Sequence, residues 1–203
     1  MVREQQGFGD VLQATLGTTG DSNETVGIEG MYHVECRDAD GNLKWEESFP
    51  NLVNAVGKQL LLDTMLRTSG TYTTVGPFLG LISGAAPTFG TGSDTGTSHA
   101  GWTEFVNYTV GGSAVRGTAV FGASSSTGST PSNVTTSTAA AITFTITGAG
   151  GTVGGCFLVT GTGAVNTQSN TAGVLYSAGA FSTAKVTTVG DTVAVTYSTT
   201  ATS

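Results

Sequence analysis

From Thr68 onward the chain carries almost no charge, and this limits what it can become. The sequence has 7 Lys/Arg and 14 Asp/Glu, and 16 of these charges fall before Thr68. The rest of the chain holds only Asp94, Glu104, Arg116, Lys185 and Asp191. It is filled with Gly, Ala, Ser, Thr and Val and scattered aromatics. An enzyme active site draws on clustered ionisable groups with shifted pKa values. This segment has little material for one. It has what short β-strands, tight turns and a broad uncharged contact surface need.

Alternation places the strands. In MYHVECR, Tyr32, Val34 and Cys36 alternate with His33, Glu35 and Arg37. In LKWEESF, Leu43, Trp45 and Phe49 oppose Lys44, Glu46 and Ser48. DADGN lies between them, so residues 31–49 predict a β-hairpin. Leu52, Val56 and Leu60, widened by Leu61 and Met65, predict one helix at about 53–66. Asn51 or Asn54 would cap its start, and TSG at 68–70 would end it. Further strands are expected at 78–82, 102–108, 114–121, 141–147, 153–160, 173–181 and 191–198, with a weaker one at 185–189.

These elements predict an all-β fold, a β-sandwich or jelly-roll-like domain. The sandwich would span about 71–203, within a β-rich domain covering 31–203. Residues 1–30 have no sustained period and read as an extended N-terminal arm. Ile142, Phe144, Ile146, Phe157, Val159, Val193 and Val195 are the expected core.

A net charge of −7 and no basic patch argue against a nucleic-acid partner. No apolar run approaches about 18 residues, so no membrane-spanning helix is expected. MVREQQGFGD is polar and of mixed charge, unlike a signal peptide. The Asn-x-Thr triplets at Asn23, Asn107 and Asn133 then read as chance in a Thr-rich chain. Cys36 and Cys156 make neither a disulfide framework nor a metal site. They read as buried free thiols, with a bridge between them as the minor alternative.

Each residue that might carry chemistry has a plain structural explanation. DADGN at 38–42 lacks the downstream Glu of a calcium loop and reads as a turn. His99 lies close in sequence to Asp94 and Glu104, but a catalytic triad is assembled from distant segments. A histidine bonded to backbone or to Glu104 is the expectation. Trp102, Phe105 and Tyr108 read mostly as core rather than as a sugar platform. The glycines of TGAGGTVGG have no Gly-Lys-Ser/Thr and make no phosphate loop. No catalytic residue, metal or cofactor is expected. Candidate partner contacts are Phe8, Val11, Leu12 and Leu16 on the arm, and His33, Glu35 and Arg37 on the hairpin's polar face.

Several segments together carry a resemblance. They are YHVECRDADGNLKWEESFPNLV, AVGKQLLLDTML, FLGLISG, SDTGTSHAGWTEFVNY and GGCFLVTGTGAVNTQSNTAGVLYSAGAF. In this order they resemble a class of tailed-bacteriophage virion proteins, over roughly residues 30–200. The stretch Asp94–Glu104 is the most specific. The resemblance implies a structural virion role without enzyme activity. The expected protein is a capsid cement or decoration protein, a homo-oligomer made in the bacterial cytoplasm and bound to the major capsid protein. A tail fibre or other tail component that binds a host surface glycan is the alternative, although no repeats or long shaft are found. A polysaccharide-degrading enzyme is a third expectation.

Overall fold

The computed structural model describes residues 27–66, 75–84, 87–89, 93–123, 132–134 and 141–202. The expected arm residues Phe8, Val11, Leu12 and Leu16, and the break at 68–70, lie outside them. β1 (Gly27–Arg37) and β2 (Leu43–Pro50) form the hairpin, and β3 (Leu52–Val53) leads into α1 (Ala55–Leu66). Next come β4 (Phe78–Ser83), β5 (Thr103–Phe105), β6 (Tyr108–Thr109), β7 (Gly117–Thr118) and β8 (Ser132–Val134). β9 (Ile142–Ile146), β10 (Gly151–Thr160), β11 (Val174–Thr187) and β12 (Thr192–Thr202) complete the fold.

Two antiparallel sheets pack together as an all-β sandwich, with one helix among the described residues. Sheet A runs β2-β1-β12-β9-β6, with β8 also on β12. Sheet B runs β3-β11-β10-β4-β5, with β7 on β4. The seven expected core residues are all buried. Tyr32, Val34 and Cys36 point inward from β1 and meet Leu79, Leu81 and Leu158 from sheet B in the main cluster. Cys36 and Cys156 are free and buried. Burial, followed by the nearby Asp191 charge, pushes the Cys36 thiol up to about 11.

Several boundaries differ from the sequence pattern for local reasons. The pattern ends the arm at residue 30, but residues 27–30 belong to β1, because β12 extends to pair them. The helix starts at Ala55 rather than 53, because Leu52 and Val53 first pair with Ala178 and Ser177. Asn54 makes the switch: its N–H donates to the Tyr176 carbonyl, and its own carbonyl accepts the Lys58 N–H. The strand expected at 102–108 is two strands on different sheets. β5 pairs with β4, and the chain then crosses so that β6 pairs with β9. Asn107 holds the crossing, donating from Nδ2 to the Gly150 carbonyl (2.8 Å). Of the run 114–121, only Gly117–Thr118 pairs as a strand.

β11 joins the 173–181 and 185–189 candidates into one strand, but ends at Thr187, short of Thr188 and Val189. Its register on β10 jumps from Val153↔Lys185 to Gly155↔Ala180, which leaves residues 181–184 bulged. The bulge closes one side of the sandwich. Phe181 packs edge-on against Phe49 (4.9 Å) and Trp45 (5.4 Å) of sheet A. The Ser182 N–H donates to Glu47, which also pairs with Lys185 at 2.8 Å.

A second tie joins the hairpin to the turn before β12. Asp191, 2 % exposed, accepts from Lys44 Nζ at 2.6 Å. It also accepts the Thr188 N–H (2.8 Å) and hydroxyl (3.1 Å). Burial alone would raise the carboxyls of Asp191 and Glu47. The Lys44 and Lys185 contacts and the N–H donors outweigh it, so both sit below their ordinary range. The unfolded chain therefore binds more protons than the folded one as pH falls. The stabilisation is complete above about pH 5 and is lost as pH drops through the depressed folded values. Asp191→Asn is expected to lower stability by about 2 kcal/mol at neutral pH. It should also flatten the acid side of the stability–pH curve, measured by urea unfolding between neutral pH and pH ~3. A variant as acid-sensitive as the parent would refute the assignment.

Candidate functional site

Two places gather the functional candidates: the outer face of sheet A and a loop-covered cleft on the outer face of sheet B.

On sheet A, His33, Glu35 and Arg37 share one outward row, as strand alternation requires. His33 Nδ1 hydrogen-bonds the Ser48 hydroxyl across the hairpin at 2.9 Å. Arg37 donates to Glu35 Oε2 at 3.2 Å and to the Gly41 carbonyl at 3.2 Å. His33 and Arg37 remain 44 % and 48 % exposed. On the β12 side the adjoining rows are neutral. Arg37 lies beside Thr192 and then Thr145, and Glu35 beside Ala194 and then Thr143. On the other side Glu46 of β2 stands opposite Glu35, so this face carries its charge on the hairpin strands β1 and β2 and Thr/Ala on β12 and β9. In the DADGN turn, the Asp38 carboxylate is occupied by the N–H groups of Asp40 (3.0 Å) and Asn42 (2.8 Å).

Sheet B is covered on its outer face too. Ile82, Trp102, Phe157, Val159 and Leu175 form a second buried cluster there. Two loops lie over it, 93–102 and 164–173. They approach so closely that a Cβ on Gly96 would collide with the Thr171 carbonyl (2.6 Å). His99 lies in the first loop. Its Nδ1 bonds the Trp102 carbonyl (3.0 Å), and its ring stacks on the Trp102 indole at 4.0 Å. Trp102 has Phe157 on another side at 5.2 Å and donates from Nε1 to Asp94 at 3.2 Å. Trp102 is core, and Asp94 is held by it.

Glu104 takes different partners. Its Oε1 accepts from Arg116 Nε (3.0 Å) and the Tyr108 hydroxyl (3.3 Å). Its Oε2 accepts from Arg116 Nη2 (2.7 Å) and the Ser169 N–H (2.7 Å). Four donors fill the lone-pair positions of one carboxylate, and both charged side chains are nearly fully buried. Burial, followed by the Glu104 charge, raises the Tyr108 phenol well above its ordinary range. Ser169 holds this contact at φ 58, a positive value found at no other non-glycine among the described residues. Arg116 also donates to the Asn170 carbonyl (2.7 Å), and its guanidinium lies 5.0 Å from the Phe157 ring centre. Beside the pair opens a cleft of about 250 Å³, with Phe157, Val159 and Leu175 on its floor and His99, Asn170 and Thr171 at its rim.

The structure brings His99, Trp102 and Glu104 to one site, with Asp94 directly behind Trp102. The sequence reading weighed all four for chemistry, but noted Arg116 only as one of the five charges after Thr68. A signal for it existed: Arg116 is the sole cation between Thr68 and Ala184, twelve residues from a lone Glu. Two opposite charges stranded in a neutral stretch find each other when both are buried. Among the described residues no group of three His, Cys, Asp or Glu is placed to hold a metal ion. No protein-family model, curated protein or solved structure matches the chain.

Proposed function

We propose that the chain is a structural virion protein of the capsid cement or decoration type. In this reading it binds neighbouring major capsid subunits and stabilises the head. The observation that carries it is the fate of the five charged residues after Thr68. Glu104 pairs with Arg116, Lys185 with Glu47 and Asp191 with Lys44, and Asp94 accepts from Trp102. All five serve the fold itself, which favours binding over catalysis. The neutral outer rows of β12 and β9 can lie against a partner without stranding unpaired charge. Hydroxyl-rich surfaces also accept bridging water at a permanent contact. The resemblance of residues 30–200 to phage virion proteins supplies the virion context, and the arm at 1–26 a second means of attachment.

The test is the copy number in purified particles of a phage encoding the chain, read by quantitative mass spectrometry. A cement protein repeats with the symmetry of the shell and is expected at hundreds of copies. A handful per particle, or absence from it, would reject the head assignment. Removing residues 1–26 is expected to leave the sandwich folded and weaken binding to empty shells. Undiminished binding would exclude the arm as a clamp.

A further inference from the structure

We infer that the cleft beside Glu104 and Arg116 binds a single neutral sugar ring. This inference does not rest on the virion role. It starts from an unsatisfied donor. Arg116 Nη1 is buried and has no hydrogen-bond partner, although Arg116 is only 4 % exposed. Its other polar positions are taken: Nε and Nη2 by Glu104, and Nη2 again by the Asn170 carbonyl. One face of the guanidinium lies over Phe157. A buried charged donor without an acceptor is costly and rare in native proteins. Arg116 lines the cleft, so a ligand there is the route by which this donor would gain an acceptor, with a small shift of the guanidinium to expose Nη1.

The chemistry of that acceptor follows from its surroundings. Glu104 already neutralises Arg116, so a ligand carboxylate would bring a second negative charge beside a filled first one. A neutral oxygen avoids this. His99 supplies the complementary need. Its Nδ1 faces a carbonyl, which can only accept, so Nδ1 carries the proton and Nε2 of the neutral ring is an acceptor. A site with donors on Arg116 and an acceptor on His99 suits hydroxyl groups, which both donate and accept. The floor of Phe157, Val159 and Leu175 suits the C–H face of a pyranose. Size agrees as well. Pockets for drug-sized ligands run to roughly 300–1,000 Å³. A cleft of about 250 Å³ takes one small ring and leaves the rest of a chain outside.

The experiment follows the Trp102 Nε1–H and the arginine Nε–H signals of the full-length protein by NMR. The probes are D-glucose, D-galactose and N-acetyl-D-glucosamine, with D-glucuronate as the charged comparison. At least one neutral sugar is expected to give saturable shifts at millimolar concentration, with glucuronate at least about tenfold weaker. Thr171→Tyr, at the exposed rim, should abolish the shifts and leave the rest of the spectrum in place. Arg116→Gln should do the same if it folds; the Thr171 variant decides the matter if it does not. The inference is overturned if no neutral sugar gives a saturable shift, if glucuronate binds equally well, or if Thr171→Tyr binds like the parent.

Discussion

Glu104→Ala is expected to cost about 3–5 kcal/mol, the usual loss when one partner of a buried ion pair is removed. Three groups lose their acceptor at once: the Arg116 guanidinium, the Tyr108 hydroxyl and the Ser169 N–H. With Arg116 only 4 % exposed, water restores little of the loss. Replacing both charges together, as Glu104→Leu with Arg116→Met, should cost less than the single change, because no charge is then stranded. Denaturant unfolding of the parent and the two variants at neutral pH measures this. A single-variant loss under about 1 kcal/mol, or a double variant worse than Glu104→Ala, would show that the pair is not closed off as described.

Phe144→Ala should lose a comparable amount, about 3–5 kcal/mol, through a different cause. Phe144 is fully buried on β9, opposite Val193 on β12, with Tyr108 edge-on at 4.8 Å. Strands hold it from two sides, so the cavity left by the ring cannot easily collapse. Because it lies between the sheets, its removal should destabilise the whole domain and not the cleft alone. If the variant unfolds at nearly the parent's denaturant midpoint, Phe144 does not sit in the main core.

What could be read from the sequence tracked which faces are covered. β1, β9 and β12 alternate because sheet A buries one face: β9 reads buried, exposed, buried, exposed, buried. β10 does not alternate. From Val153 to Thr160 every residue is buried, since loops 93–102 and 164–173 cover the outer face of sheet B. An apolar run of that kind marks a strand but does not say what covers it. β3, β6, β7 and β8 have two or three residues each, too short for any period to register. The β11 bulge hid a continuous strand because its register shift reads as a break. At the cleft, Glu104 and His99 were visible as residue types. The partners of Glu104 at Ser169 and of Arg116 at Asn170 were not, because no local pattern links positions 65 and 54 residues apart.

The pairing of Gly27 with Thr202 puts both flanks of the sandwich at one corner. Opposed residues in such a ladder lie about 4.5–5.5 Å apart. Anything joined directly before Gly27 or directly after Thr202 is therefore attached at the same corner of the sandwich. A few linking residues from Thr202 to Gly27, in place of residues 1–26, would close the sandwich into a ring. It could then be reopened in the 38–42 turn, roughly 35 Å away at the other end of β1. The permuted molecule would keep its sheets and present its ends at the opposite pole.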